Sequence, residues 1–260
     1  MSAVSRSPEF SRGAALVVGG SGALGAAICR GLAQRGSAVA LTYRGGAERA
    51  EAVANDVRAL GTEALALQAT LDDPASVKAA VDAAVARFGR LHSVVYAAGP
   101  ALEFRYINQI DPAEWARVMA TDVNGCFNLV SAALPHLREH GGGSIVALVT
   151  GAVDRAPPRD IMSAAPKAAI QMLIRGVARE EGRFGIRANC VGPGYIAAGL
   201  GLTTLHDHTE DYVQKMVRAI PLKRPGEPED VADVACFLLS EQARYVTGAT
   251  IPVAGGLQLA

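Results

Sequence analysis

The nine residues Val17 to Gly25, V-V-G-G-S-G-A-L-G, constrain this chain more than any other stretch. Ala14 to Val18 is an uninterrupted apolar run bounded by glycines, the pattern of a strand buried on both faces of a parallel sheet. Gly19, Gly20, Gly22 and Gly25 permit a tight turn whose backbone can approach a bulky anion, and the helix opening near Leu24 points its positive end at the same place. Such a turn suits a diphosphate, because ligands of open α/β sheets sit beyond the carboxyl ends of the strands. A turn that merely links strand to helix has the same composition, so the rest of the chain must decide.

That remainder alternates strand and helix. Seven strands are predicted, over Ala14 to Gly19, Ala38 to Tyr43, Glu63 to Ala69, Ser93 to Ala98, Ser144 to Val149, Ile186 to Val191 and Thr250 to Val253. Helices are predicted over Leu24 to Gln34, Ala47 to Leu60, Pro74 to Phe88, Pro112 to Leu137, Ala164 to Glu181 and Pro228 to Leu239. Asp73 before Pro74 and Asp111 before Pro112 are the expected caps. The alternation calls for an α/β fold, a doubly wound parallel sheet of about seven strands with right-handed crossovers and helices on both faces. Residues 1–12 read as a mobile tail and 13–260 as one domain. The stretch Ile196 to Arg218, which leaves the sheet after Pro193 and Gly194, reads as a lid.

Composition excludes several classes of partner. With 25 basic and 25 acidic residues, no nucleic-acid or anionic-lipid surface is expected. Cys29, Cys126, Cys190 and Cys236 are scattered without metal or redox spacing, which fits a reducing, cytoplasmic compartment. His136 and His140 lie four apart without a third ligand. No run reaches membrane-spanning length and no signal peptide is expected ahead of Ala14.

Taken together, these residues resemble the short-chain dehydrogenase/reductase family, and within it the 3-oxoacyl-carrier-protein reductases. The resemblance runs from Ala14 to Leu257. Its strongest parts are Gly19 to Gly25, Ala97 to Gly99, Lys167 with the A-A-I that follows, Asn189 to Tyr195, P-L-K-R-P-G-E-P-E-D-V-A from Pro221, and Tyr245 to Gly256. It implies a Rossmann-like fold, a small-molecule substrate, a nicotinamide cofactor across the strand ends, and a homo-tetramer or homo-dimer built through the long helices after strands four and five. The cofactor contacts it implies are Gly19, Ser21, Gly22, Leu24, Gly25, Arg44, Leu71, Ala98, Gly99, Lys167, Pro193, Gly194 and Ile196. In this fold an acid ending the second strand meets the adenosine ribose, whereas an arginine suits a 2′-phosphate. Here the strand ends Thr42, Tyr43, Arg44, so NADP(H) is favoured over NAD(H), unless Arg44 is only a solvated loop residue.

The family's catalytic set is asparagine, serine, tyrosine and lysine, and the resemblance places Asp122, Thr150, Ser163 and Lys167 at those positions. Only Lys167 keeps its identity. Thr150 still presents a hydroxyl to a substrate oxygen. Ser163 is no equivalent of a phenol, whose pKa of about 10 an adjacent ammonium can lower into a working range. Loss of a positioned acid forfeits about 10²- to 10⁴-fold in rate, roughly 3 to 5 kcal/mol of barrier. Asp122 can pair with Lys167 or act as a base. Ser163 can equally be a helix cap, with Pro166 tolerated in the first turn, and Lys167 a structural or ribose-contacting residue. Val18, Ala23, Thr70, Ala97 and Ala198 depart from the family's usual cofactor contacts, each at a cost of around 1 kcal/mol.

Candidate substitutes for the missing acid are Asp154, Arg155, Arg159 and Asp160 on the loop before Ser163, together with Tyr195, Tyr106, His206 and His208. Leu102, Phe104, Tyr106 and Ile107, with Leu200, Leu202 and Leu205 of the lid, suggest an apolar pocket wall. Three readings follow. The first is an NADP(H)-dependent oxidoreductase acting on a carbonyl or activated alkene through a rebuilt proton relay. The second is a non-redox isomerase, dehydratase or cyclase, and the third a catalytically silent partner subunit.

Overall fold

The structure is a computed structural model, and it describes residues 10, 13–99, 102–199 and 210–259. Seven parallel strands form one sheet in the order β3-β2-β1-β4-β5-β6-β7. They are β1 (Ala14–Val18), β2 (Ala38–Tyr43), β3 (Ala64–Gln68), β4 (Leu91–Tyr96), β5 (Gly143–Leu148), β6 (Ile186–Pro193) and β7 (Thr250–Val253). The order reverses between β1 and β4, and the crevice at such a reversal is where this topology binds ligands. β1 is buried at every position and aligns Val18 with Tyr96 of β4, so the chain segments that follow the two strands emerge side by side.

Each face of the sheet carries its own apolar core. One is built on α1 (Ala23–Gln34), α2 (Ala47–Ala59) and the helix Pro228–Leu239. The other is built on α3 (Pro74–Phe88), α5 (Gly125–Glu139) and α7 (Ile161–Glu181), with Leu16, Leu129, Ile145, Ile170 and Ile174 fully buried. Burying a side chain of this size contributes about 1.5–3 kcal/mol. The expected caps are present: Asp73 accepts from the Ala75 N–H at 2.9 Å, and Asp111 from that of Ala113 at 2.7 Å.

Three expectations need correction. The single helix expected over Pro112 to Leu137 is α4 (Pro112–Met119), a π-helical segment Ala120–Asn124, and then α5. A π turn widens the helix by one residue, and this one carries the buried Asp122. Second, α7 begins at Ile161, three residues before the apolar periodicity starts, because the backbone carbonyl of Asp160 accepts from the N–H groups of Ser163 and Ala164. Ser163 therefore lies inside the first turn and Asp160 holds the cap position. Third, Phe10 of the expected free tail is buried and stacks on His92, ring centroids 5.0 Å apart. The other tail residues, and 200–209 of the expected lid with Leu200, Leu202, Leu205, His206 and His208, lie outside the described residues. Among the described residues, no helix is long and apolar enough to cross a membrane.

Candidate active site

Close packing forces the shape of the glycine turn. Gly19 has φ +79°, and a Cβ there would stand 2.9 Å from the backbone of Ala97 and Ala98. A Cβ on Gly25 would stand 2.3 Å from the Gly19 carbonyl oxygen, so the start of α1 lies directly on the turn. The Gly19 N–H donates to Thr42 Oγ1 at 3.3 Å and the Gly22 N–H to the Gly19 carbonyl at 3.0 Å. Gly22 caps α1 without a side-chain bond, and no acidic residue stands in the first turn. The positive end of α1 is thus left to face a ligand, and Gly22 and Ala23 are exposed beside the half-buried Ser21 and Leu24. These residues fit the diphosphate of a dinucleotide.

The other expected cofactor contacts fall along the same sheet edge. Arg44 is exposed at the end of β2, where no acid stands. Ala98 and Gly99 follow β4, and Leu71 packs against Gly125 below them. Pro193 ends β6, its carbonyl accepting from the Gly151 N–H at 2.9 Å, and a Cβ on Gly194 would collide with Ala254 at 2.6 Å. Ile196 buries its side chain in the core, so a ligand would meet only its backbone.

Below this edge lies a buried polar cluster. Lys167 Nζ donates to Asp122 Oδ1 at 2.8 Å and to the Ala98 carbonyl at 3.0 Å. Tyr96, from β4, donates its hydroxyl to the same carboxylate oxygen at 3.0 Å and to the Asp122 carbonyl at 2.9 Å. The Asp122 side chain is 1% exposed and that of Lys167 11%. An ammonium has three N–H donors, and these two bonds leave Lys167 one, beside Gly99, whose Cβ would stand 3.8 Å from Nζ. Removing two charges from water is costly, and only close pairing with further hydrogen bonds offsets it. Tyr96 and Ala98 supply those bonds.

Sequence reasoning missed Tyr96, although a tyrosine in the apolar run V-V-Y-A-A was a signal. It does lie beside the ammonium, 5.2 Å from Nζ to ring centroid. It does not replace a phenol in the cleft, because it is 1% exposed and its hydroxyl serves Asp122. Burial, then the Asp122 carboxylate, hold that hydroxyl well above the ordinary tyrosine range.

The remaining candidates lie around the mouth. Thr150 is half-buried after β5, and its Oγ1 accepts from the Ala152 N–H at 3.2 Å, which leaves its own O–H free to donate. Ser163 is half-buried one turn before Lys167. Asp154 and Arg155 are exposed on the short helix α6 (Ala152–Arg155). Arg159, at φ +71°, donates to the Phe104 carbonyl at 2.8 Å and lies over the Tyr106 ring. A cleft of about 530 Å³ opens between Tyr106, Ile107, Pro157, Pro158, Ile161 and Ala164. Burial pushes the half-buried Asp160 carboxyl up to about 6. Tyr195 is half-buried after Gly194. His136 pairs with Asp82 at 3.1 Å while His140 bonds the His136 carbonyl, and no metal-binding cluster occurs among the described residues.

A family model described as enoyl-(acyl carrier protein) reductase matches residues 19–258. The 3-oxoacyl-[acyl-carrier-protein] reductase of Staphylococcus aureus is 36% identical over 247 residues, 94% of this chain and 98% of that one. A short-chain type dehydrogenase/reductase from Mycobacterium ulcerans superposes with a TM-score of 0.90 at 31% identity, covering 96% of this chain and 91% of the other. The chain belongs to the short-chain dehydrogenase/reductase family. Another structure of similar fold, a blue fluorescent protein from a metagenomic library in complex with NADPH, matches at 33% identity and a TM-score of 0.86, over 94% of this chain and 97% of that one. This short-chain dehydrogenase/reductase is thus similar to a named reductase over nearly its whole length.

Proposed function

We propose that this chain is an NADP(H)-dependent oxidoreductase acting on a carbonyl or activated alkene of an apolar small molecule, with a proton relay unlike that of its relatives. The observation that carries the reading is the Ala97–Gly99 segment. One side of it packs on Gly19 of the anion-binding turn, and the other accepts a bond from Lys167. A dinucleotide laid across the strand ends would have its diphosphate at the first contact and its nicotinamide ribose at the second. When bound, it supplies hydride chemistry. Ser21, Gly22, Leu24 and Gly25 would hold the diphosphate, Arg44 the 2′-phosphate, and the remaining Lys167 donor the ribose. Pro193, Gly194 and the Ile196 backbone would border the nicotinamide, and Leu71 the adenine side.

Thr150 is assigned to the substrate oxygen. Ser163 is too short and too weak an acid for the tyrosine's work. Asp122 neutralises Lys167, so the ammonium has little charge left to activate a neighbour. The apolar lining of the 530 Å³ cleft supports an apolar substrate. Phe127 and Met172, 56% and 63% exposed on α5 and α7, support assembly as a homo-dimer or homo-tetramer through those helices. Four free, buried cysteines are consistent with the cytoplasm.

Titration with NADPH and with NADH, followed by nicotinamide fluorescence, tests the reading. The expected result is saturable NADPH binding at least tenfold tighter than NADH, a gap that Arg44→Ala narrows. No binding at millimolar cofactor overturns it.

A further inference from the structure

We propose that the substrate is an apolar molecule carrying a carboxylate, and that Arg159 is the residue that recognises it. The inference deepens the reading above and rests on its assignment of the 530 Å³ cleft to the substrate. Among the described residues lining that cleft, Arg159 carries the one charge, set against the apolar wall of Ile107, Pro157, Pro158 and Ile161. A single cation in an apolar site fixes the orientation of a ligand with one matching anionic group.

The guanidinium is held but not used up. Its Nε and Nη2 donate to the Phe104 carbonyl at 3.2 and 2.8 Å, and its carbon lies 5.9 Å from the centre of the Tyr106 ring. A guanidinium has five N–H donors in one plane. The Phe104 bonds take the edge formed by Nε and Nη2, so the edge formed by Nη1 and Nη2 keeps its parallel pair of N–H groups. Such a pair fits the two oxygens of a carboxylate. Among the described residues no carboxylate of the protein pairs with it: Glu103 and Glu114 are taken by Arg105, and Asp154 and Asp160 form no ion pair. One guanidinium balances the single charge of a carboxylate, whereas a phosphate monoester carries nearly two.

The backbone is committed to this placement. Arg159 has φ +71° and Ala156 φ +45°, a costly region for a residue with a Cβ, and between them stand Pro157 and Pro158 with φ fixed by their rings. Strain of this kind persists only where the surroundings enforce it, and it gathers at ligand sites. Here the enforcing contact is Phe104, fifty-five residues earlier in the chain. Ile161 and Ala164 continue the cleft wall along α7, and Ala164 stands one turn before Lys167, which reaches Ala98 at the cofactor edge. A molecule anchored on Arg159 can thus lay its apolar body along α7 toward the strand ends.

The probes are the straight-chain carboxylates from hexanoate to decanoate and their methyl esters, titrated by calorimetry into the full chain with and without NADPH. At least one acid is expected to bind about tenfold or more tighter than its ester, the gain of a charge-assisted pair, and to move the Arg159 Nε NMR signal, assigned by its loss in Arg159→Lys. Arg159→Gln should abolish the preference for acid over ester, and Arg159→Lys, which keeps the charge without the fork, should retain part of it. Equal affinities for acid and ester, no acid bound at millimolar concentration, or a preference that survives in Arg159→Gln overturns the proposal. In the last case the side chain serves only to tie its loop to Phe104, and the variant loses thermal stability alone. Should Arg159→Gln not fold, the wild-type Nε signal decides, and one unmoved by every acid overturns the assignment. Acid preference without NADPH binding removes the redox reading and leaves Arg159 in its role, whereas NADPH binding without acid preference removes this inference alone.

Discussion

Asp122 and Lys167, forty-five residues apart, share a 2.8 Å ion pair that is closed off from solvent on the aspartate side. The carboxylate answers the ammonium, and Tyr96 holds that carboxylate in place.

One consequence concerns building a phenol at position 163. Ser163→Tyr alone places a tyrosine beside a neutralised ammonium, so its pKa should stay near the ordinary value of about 10 and ketone reduction should rise little. Combining it with Asp122→Asn frees the ammonium. The double variant is expected to exceed the product of the single effects by about tenfold or more in kcat/KM, a coupling that a double-mutant cycle measures directly.

Tyr96→Phe removes one donor from a buried carboxylate without opening a large cavity. The expected loss is about 1–3 kcal/mol of folding free energy, measured by urea denaturation. Because the Lys167 bond survives, NADPH affinity should change less than stability does. An unchanged denaturation midpoint would show that Tyr96 contributes nothing to holding the pair.

Gly25→Ala puts a methyl 2.3 Å from the Gly19 carbonyl oxygen, where only backbone can give way. Overpacking of this kind costs about 1–3 kcal/mol, and the turn that must shift is the proposed diphosphate site. NADPH affinity should therefore drop at least tenfold in the fluorescence titration. Gly45→Ala, where a Cβ meets nothing within 4 Å, is the matched control and should leave binding intact.

The base of the sheet gives a pH prediction. His92 is stacked on Phe10 and bonded to Ser37 at 3.0 Å and Ser93 at 2.9 Å; burial, and then Arg90, lower its pKa to about 4. The unfolded chain takes up this proton near pH 6.5 and the folded one only near 4, so stability is full above 6.5 and declines as pH falls between those values. The loss is on the order of 3 kcal/mol. Thermal melts from pH 7 to 4 should show a decline that is shallower in His92→Gln.

Much of the fold was legible from local chemistry. Glycine–strand alternation predicted all seven strands, and the ranges of β2, β7, α3 and the helix Pro228–Leu239 coincide with those read from the chain, because Pro, Asp caps and apolar runs act locally. The π segment was not legible: Ala120–Asn124 has ordinary helical composition, and its Asp122 finds its partners on β4 and α7, far away in the chain. The start of α7 escaped for a related reason, since Asp160 caps with its backbone and not with its side chain.

What the sequence determined by itself was the kind of molecule: a glycine turn between strand and helix, and a repeating β–α order. These follow from steric freedom and hydrophobic period, which are properties of neighbours along the chain. Only the tertiary structure decided what Lys167 is paired with. A carboxylate, held by a phenol, is brought to it from distant elements into a buried cluster, and no local pattern encodes so distant a pairing.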